Sequence, residues 1–279
     1  MKRSARKTKN ADNDSTVRTV IVAAKVLDAL AEFRGPVRLT ELARALKMTL
    51  PRISRHVSTL RALGFIEKAE PLEAYRLGTK LFVMGQIALE QNALIDVAPP
   101  HLSRLRDQVR QSVILSTHSG DGCVVLTCIQ SNESPTIVVR PGTHLELPNS
   151  PSARVLRAFS SDTREDGSPF GHDYPEERHR FIMANYYDFE ADARGSGIGS
   201  VAAPVFDHDD QIVGVVAAVM PSTALVSGPS PTLVKALTAC TAQISSTMGS
   251  TAWRRKMGGM LPAGASASLR SPRKGRLTS

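Results

Sequence analysis

The stretch 48-MTLPRISRHVSTLRALGF-65 decides how this chain is read. Arginines at 52, 55 and 61 are threaded between Ile53, Val57, Leu60 and Leu63. On a helix of about 100° per residue, Val57 and Leu60 fall within about 40° of Ile53, whereas Arg52, Arg55 and Thr59 lie roughly 200–260° away. Thr49 is placed to cap this helix, Pro51 sits in the first turn where a missing N–H costs little, and Gly64 reads as the glycine just past its end. The outward face holds Arg52, Ser54, Arg55, Ser58 and Thr59 and no acid. Such a face suits phosphates and base edges in a major groove; a merely solvated basic face is the other reading. His56 borders the apolar side and reads as packed or half-exposed.

Working outward, Val20, Ala24, Leu27 and Ala31 recur at helical spacing from Val17, and the pattern stops at Gly35-Pro36. TELARAL predicts a short second helix with Thr40 as N-cap and Leu42 and Leu46 on one face. After the third helix, FIEKAEPLEAYRLG predicts two short strands about Pro71-Leu72-Glu73, with Lys68 and Arg76 placed to brace on a nucleic-acid backbone. Helix, helix, helix, hairpin is the order of a winged helix-turn-helix. Residues 79–93 read as a further helix that is apolar on more than one face, from Leu81, Phe82, Val83, Met84, Ile87 and Leu89. A helix of that kind is shared with a second subunit or buried in a single core.

The formal charge is +9, unevenly spread. Residues 1–90 carry 17 basic against 9 acidic side chains, 91–250 carry 11 against 17, and 251–279 carry 7 against none. The basic ends suggest a polyanionic partner and the mildly acidic middle a separate task. Residues 1–15 and 251–279 are expected to be disordered basic tails. No apolar run approaches the ~18 residues of a membrane span, and the polar start lacks a secretory h-region; a soluble, cytoplasmic protein with no membrane partner is expected.

Beyond a helix near 99–111 the chain turns to strands: SVILSTHS, CVVLTCIQ and TIVVRPG, then a helix at 151–160, then SVAAPVFD and QIVGVVAAV about His208-Asp209-Asp210, and a long helix near 231–249. This pattern is α+β around an antiparallel sheet. Alternation along a strand would point Cys123 and Cys128 to opposite faces, and His118, Cys123 and Cys128 match no standard zinc spacing. Residues 195-GSGIGS-200 precede a strand rather than a helix, so they read as a loop bordering a pocket and not as a phosphate loop. There is no G-x-S-x-G elbow, and nothing pairs acids, histidines and serines into a catalytic set. No enzyme, catalytic residue, metal site or cofactor is expected.

LTELARALKM, ISRHVSTLRALGFIEK and YRLGTKLFVMG together resemble the helix-turn-helix, wing and linker of the IclR-type bacterial transcriptional regulators. ELPNSPSARVLRAF and SVAAPVFDHDDQIVGVV resemble that family's effector-domain stretch and closing hairpin, with Ala153-Arg154 standing where the family usually has Gly-Lys. The resemblance implies a winged helix-turn-helix at 16–78, a linker and dimerisation helix at 79–94, and a GAF-like effector domain at 95–250. It implies a homodimer or tetramer bound to a double-stranded DNA operator and modulated by a small organic or aromatic acid. Carried over by position, the effector contacts are Pro151, Ser152, Glu190, Ile198 and Ser200. A protein that holds DNA without a ligand, its C-terminal domain serving only to dimerise, is the alternative.

Overall fold

The computed structural model describes residues 17–120, 122–134, 136–160, 175–192 and 195–256; the expected tails at 1–15 and beyond 256 lie outside them. Residues up to Gln91 form one compact unit and those from Asn92 a second.

The first unit is built from α1 (Arg18–Phe33), β1 (Val37–Arg38), α2 (Leu39–Ala45), α3 (Leu50–Ala62), β2 (Ile66–Ala69), β3 (Ala74–Leu77) and α4 (Thr79–Glu90). Its three strands run antiparallel in the order β1-β3-β2. Ile53, Val57 and Leu60 of α3 are buried with Leu42 of α2 and Val26 and Leu30 of α1, as the α3 wheel predicts. The face expected for α1 is corrected. Val22, Val26, Ala29 and Leu30 are buried, whereas Val20 is 64% exposed. Both sets have helical spacing, and only packing chooses between them.

Cap placement in α2 is corrected as well. The helix begins at Leu39 and its N-cap is Arg38, whose backbone N–H donates to the Glu41 carboxylate at 2.9 Å; Thr40 is already inside the helix. The turn to α3 closes with Lys47 in the left-handed region and Met48 N–H donating to the Ala43 carbonyl at 2.9 Å. At the far end of α3, Gly64 has φ +80 and the Phe65 N–H donates to the Leu60 carbonyl at 2.9 Å, the closed helix end the sequence predicts. Gly78 must be glycine, because a Cβ there would stand 2.3 Å from the Gly64 carbonyl oxygen. That close approach brings the exit of the hairpin onto the end of α3.

The second unit contains α5 (Ala93–Val97), α6 (Pro99–Val109), β4 (Ser112–Ser119), β5 (Gly122–Ile129), β6 (His144–Leu145), α7 (Pro151–Phe159), α8 (Glu176–Asn185), β7 (Asp188–Glu190), β8 (Ile198–Phe206), β9 (Ile212–Pro221), α9 (Pro231–Thr247) and α10 (Ala252–Lys256). Its strands form one antiparallel sheet in the order β6-β5-β4-β9-β8-β7. Helices cover both faces. Val216, Ala218 and Met220 of β9 pack with α5, α6 and α9, while Val215, Ala217 and Val219 pack with α7 and α8. Burial on both sides explains why β8 and β9 read as continuous apolar runs.

Three expectations for this unit change. TIVVRPG forms no ladder over 136–142; instead the Ser112 hydroxyl donates to the Ile137 carbonyl at 2.5 Å, and Ile137 and Val139 pack on the α7 side of the sheet. Cys123 and Cys128 share one face rather than two. The register slips between Leu115 and Ser116, so β5 carries one extra residue there and the parity of its side chains inverts. Both thiols are free, and burial pushes the Cys123 thiol up to about 12.

The ordered chain also runs past residue 250 into α10. Trp253 is buried against Phe206 and Ala242, and its indole N–H donates to the Pro204 carbonyl at 3.3 Å. Asp210, in the β8–β9 turn, holds this segment by accepting from the Ser250 hydroxyl at 2.6 Å and from the N–H groups of Thr251 at 2.8 Å and Ala252 at 3.0 Å, and by pairing with Arg255. Those donors, Ser250 first, hold its carboxyl down at about 2. Because the folded value lies below the ordinary aspartate range, the contribution is present above about pH 4. It is lost as pH falls toward 2. Trp253 is the only tryptophan, so its emission should shift to the red over that acid range. In Asp210→Ala the shift should already be present at pH 7; an unshifted spectrum there would show that Asp210 does not anchor the segment.

Candidate nucleic-acid interface and ligand cavity

Arg52, Ser54, Arg55, Ser58 and Thr59 are all exposed along α3, opposite its buried stripe. Among the described residues of α3, the first turn holds no acid and the last turn adds Arg61. Arg52, Arg55, His56 and Thr59 line a shallow groove of about 590 Å³ with Thr49 and Pro51, closed on one side by Thr19 at the start of α1. Thr19 escaped the sequence reading because its proximity to α3 is a product of tertiary packing. The Thr59 hydroxyl donates back to the Arg55 carbonyl at 3.0 Å, so its oxygen remains available as an acceptor.

The wing is less free than its sequence suggests. Lys68 Nζ lies 2.6 Å from Glu73 and 3.8 Å from Glu70, and Arg76 lies 3.3 Å from Glu67. Glu73, by hydrogen bond and charge, raises the Lys68 ammonium above the ordinary lysine range. Glu67 also accepts from the Thr79 N–H and hydroxyl, both at 2.8 Å, and these bonds lower its carboxyl. The hairpin is therefore tied to the first turn of α4, and its two basic residues meet a phosphate only in exchange for the acids already paired with them. Exposed pairs of this kind are weak, so the exchange costs little.

In the second unit, Pro151, Glu190, Ile198 and Ser200 line one cavity of about 210 Å³, with Val139, Leu145, Asn149, Ser150 and Ser196 completing its wall. Four of the five positions carried over by resemblance are thus brought together. Ser152 is not: it is 2% exposed and outside the wall. Ser150 caps α7, accepting from the Ala153 N–H at 3.4 Å, so Ser152 is turned about 100° from Pro151 and into the core. The GSGIGS loop does border the cavity. Asp192 folds it by accepting from the N–H groups of Ser196 at 2.8 Å and Gly197 at 3.2 Å. Gly199 lets β8 approach Glu190, since a Cβ there would lie 2.9 Å from the Glu190 carbonyl oxygen.

Behind Glu190 stands a charged network that the sequence did not reveal. Arg154 is 5% exposed and Asp188 is fully buried. Arg154 Nε donates to Asp188 at 2.5 Å, Nη1 to the Pro148 carbonyl at 2.8 Å and to Glu190 at 3.5 Å, and Nη2 to the Phe189 carbonyl at 3.2 Å. Arg178 Nε donates to the other oxygen of Asp188 at 2.6 Å. Two cations and two anions balance, and each buried charge is paired, which burial requires. The Ala153-Arg154 pair was the available signal; its partner lies 34 residues away, on a strand too short to register.

Among the described residues no group of three or more histidines, cysteines or acids converges as for a metal, and no helix is long and apolar enough to cross a membrane.

A basic, acid-free face along α3, a wing after it and a separate α+β unit with a cavity are the arrangement of a DNA-binding transcriptional regulator. Comparison with known proteins gives the same class. Residues 19–70 match the IclR helix-turn-helix domain. The chain is 26% identical over 215 residues to the HTH-type transcriptional regulator BhcR of Paracoccus denitrificans, covering 71% of this chain and 75% of that one. It is 25% identical over 215 residues to the HTH-type transcriptional regulator KdgR of Escherichia coli, covering 71% and 81%. In fold it resembles an IclR homologue from Microbacterium hydrocarbonoxydans solved in complex with 4-hydroxybenzoate, with TM-score 0.65, 20% identity and coverage of 82% and 98%. Residues 19–70 therefore carry an IclR-type helix-turn-helix domain, and over most of its length the chain is similar to HTH-type transcriptional regulators.

Proposed function

We propose that this regulator binds its operator through α3, with Arg52, Ser54, Arg55, Ser58 and Thr59 toward the major groove, and that a small organic acid in the second unit alters that binding. The observation that carries the ligand reading is the cavity walled by Pro151, Glu190, Ile198 and Ser200. The complex of the Microbacterium homologue with 4-hydroxybenzoate supports a compact aromatic acid as one class to try. Arg–phosphate contacts supply most of the affinity and make it salt-dependent. Ligand changes affinity only by favouring one of two arrangements that differ in their fit to DNA. Lys68 and Arg76 brace the wing on the backbone, in exchange with their present acids.

The working form is a homodimer, or a tetramer built from it, in the cytoplasm. In support, α4 has no buried residue, and Phe82, Val83, Met84 and Ile87 are each about half exposed or more; Val17, Val20 and Ile21, at the start of α1 and just before it, are exposed as well. An apolar surface of that size calls for a partner. Phe82→Glu combined with Ile87→Glu is expected to move the sedimenting species toward monomer at micromolar concentration while circular dichroism stays unchanged; an unaltered oligomer would place the interface elsewhere. The ligand reading is tested by thermal shift with carboxylic acids, because a ligand that binds only the native state raises Tm. If no acid moves Tm, the second unit serves as a dimer scaffold and DNA binding is ligand-independent.

A further inference from the structure

The polar wall of the cavity is unusual for a protein that is to hold an acid. Glu190 contributes a carboxylate, while Asn149, Ser150, Ser196 and Ser200 contribute only neutral groups, and no lysine or arginine is among the described lining residues. Glu190 is not an isolated anion either: Arg154 Nη1 stands 3.5 Å behind it, and Arg178 and Arg154 together match the charges of Asp188 and Glu190. Glu190 keeps 39% of its side chain exposed, against 7% for Arg154 and none for Asp188. The cavity therefore meets a strong hydrogen-bond acceptor whose charge is already matched from behind.

That combination discriminates among three kinds of ligand group. A second carboxylate placed beside Glu190 is repelled and finds no described cation in the wall. An ammonium gains from Glu190 but approaches the Arg154 guanidinium that already pairs with it. A neutral hydroxyl donates to Glu190 without disturbing the balance, and a hydrogen bond to a charged acceptor is worth roughly tenfold or more in affinity. We propose, resting on the effector reading above, that the ligand of this cavity bears a hydroxyl group donated to Glu190. Its carboxylate, where present, is directed away toward the neutral donors of Asn149, Ser150 and Ser196. Val139, Leu145 and Ile198 then cover an apolar body compact enough for about 210 Å³.

The experiment uses the full-length protein and matched pairs that differ by one hydroxyl: 4-hydroxybenzoate against benzoate, and lactate against propionate, read by calorimetry or thermal shift. The hydroxylated member of at least one pair is expected to bind roughly tenfold more tightly than its partner. In Glu190→Ala that preference should disappear, while Glu190→Gln, which keeps a carbonyl acceptor, should retain part of it. Equal binding within each pair, or a hydroxyl preference that persists undiminished in Glu190→Ala, would overturn the hydroxyl assignment and leave the effector reading intact. Failure of all four probes to bind the wild-type protein would count against the effector reading itself and the hydroxyl assignment with it.

Discussion

Asp188→Ala is expected to destabilise the second unit by about 3–5 kcal/mol, the cost of leaving a buried charge without its partner. In the native protein the Asp188 carboxylate is fully buried and accepts from Arg154 at 2.5 Å and Arg178 at 2.6 Å. Removing it leaves Arg154, itself 5% exposed, with Glu190 at 3.5 Å as its one remaining acidic partner among the described residues. For a unit of this size the loss corresponds to roughly 10 °C in Tm. The exposed pair Arg180–Glu176, one helical turn apart at 3.6 Å, is the control, because Arg180→Ala should change stability by about 0.5 kcal/mol or less. Thermal unfolding of the two variants side by side decides the matter; similar small losses in both would mean that the network tolerates an unpaired arginine.

Replacing Arg52 and Arg55 together with alanine is expected to weaken operator binding about a hundredfold or more, since each arginine that meets a base or phosphate is worth about 1–3 kcal/mol. Both side chains are exposed on the side of α3 away from Ile53, Val57 and Leu60, so Tm should stay within about 1 °C of wild type. If the arginines meet phosphates, the double variant should also show a shallower dependence of affinity on salt, by about one unit of log–log slope for each phosphate left without its arginine. Fluorescence anisotropy with labelled operator at several salt concentrations measures both quantities. An unfolded variant, or one that binds as tightly as wild type, would remove α3 from the interface.

The helix-turn-helix was legible because its signals are local and agree with one another. In α3 the buried stripe, the proline of the first turn and the glycine after its end lie close together along the chain, within 49–64. The β8–β9 hairpin was legible because burial on both faces leaves an unbroken apolar run on either side of a polar turn. What depends on tertiary packing was not legible. In α1 two apolar stripes have equal helical spacing, and the burial of Val22 and Val26 instead of Val20 and Ala24 is decided by where α3 lies. In β5 a single extra residue inverts the side-chain parity, so the separate faces expected for Cys123 and Cys128 become one. The segment after residue 250 read as a basic tail because its arginines outweigh one tryptophan, yet Trp253 and the Asp210 cap fix it to the sheet. Around the cavity, resemblance carried four positions to one wall, but it could not reveal Arg154 and Asp188, whose pairing joins α7 to β7 across 34 residues.

The function proposed for the first unit requires that the basic face of α3 read a specific DNA sequence. The most direct measurement is a gel-shift titration of the full-length protein against the intergenic DNA beside its own gene, with random DNA as competitor, at two salt concentrations. If that is so, a discrete complex survives excess competitor, weakens as salt rises, and disappears with Arg52→Ala and Arg55→Ala combined. A complex that random DNA abolishes at either salt concentration would contradict it.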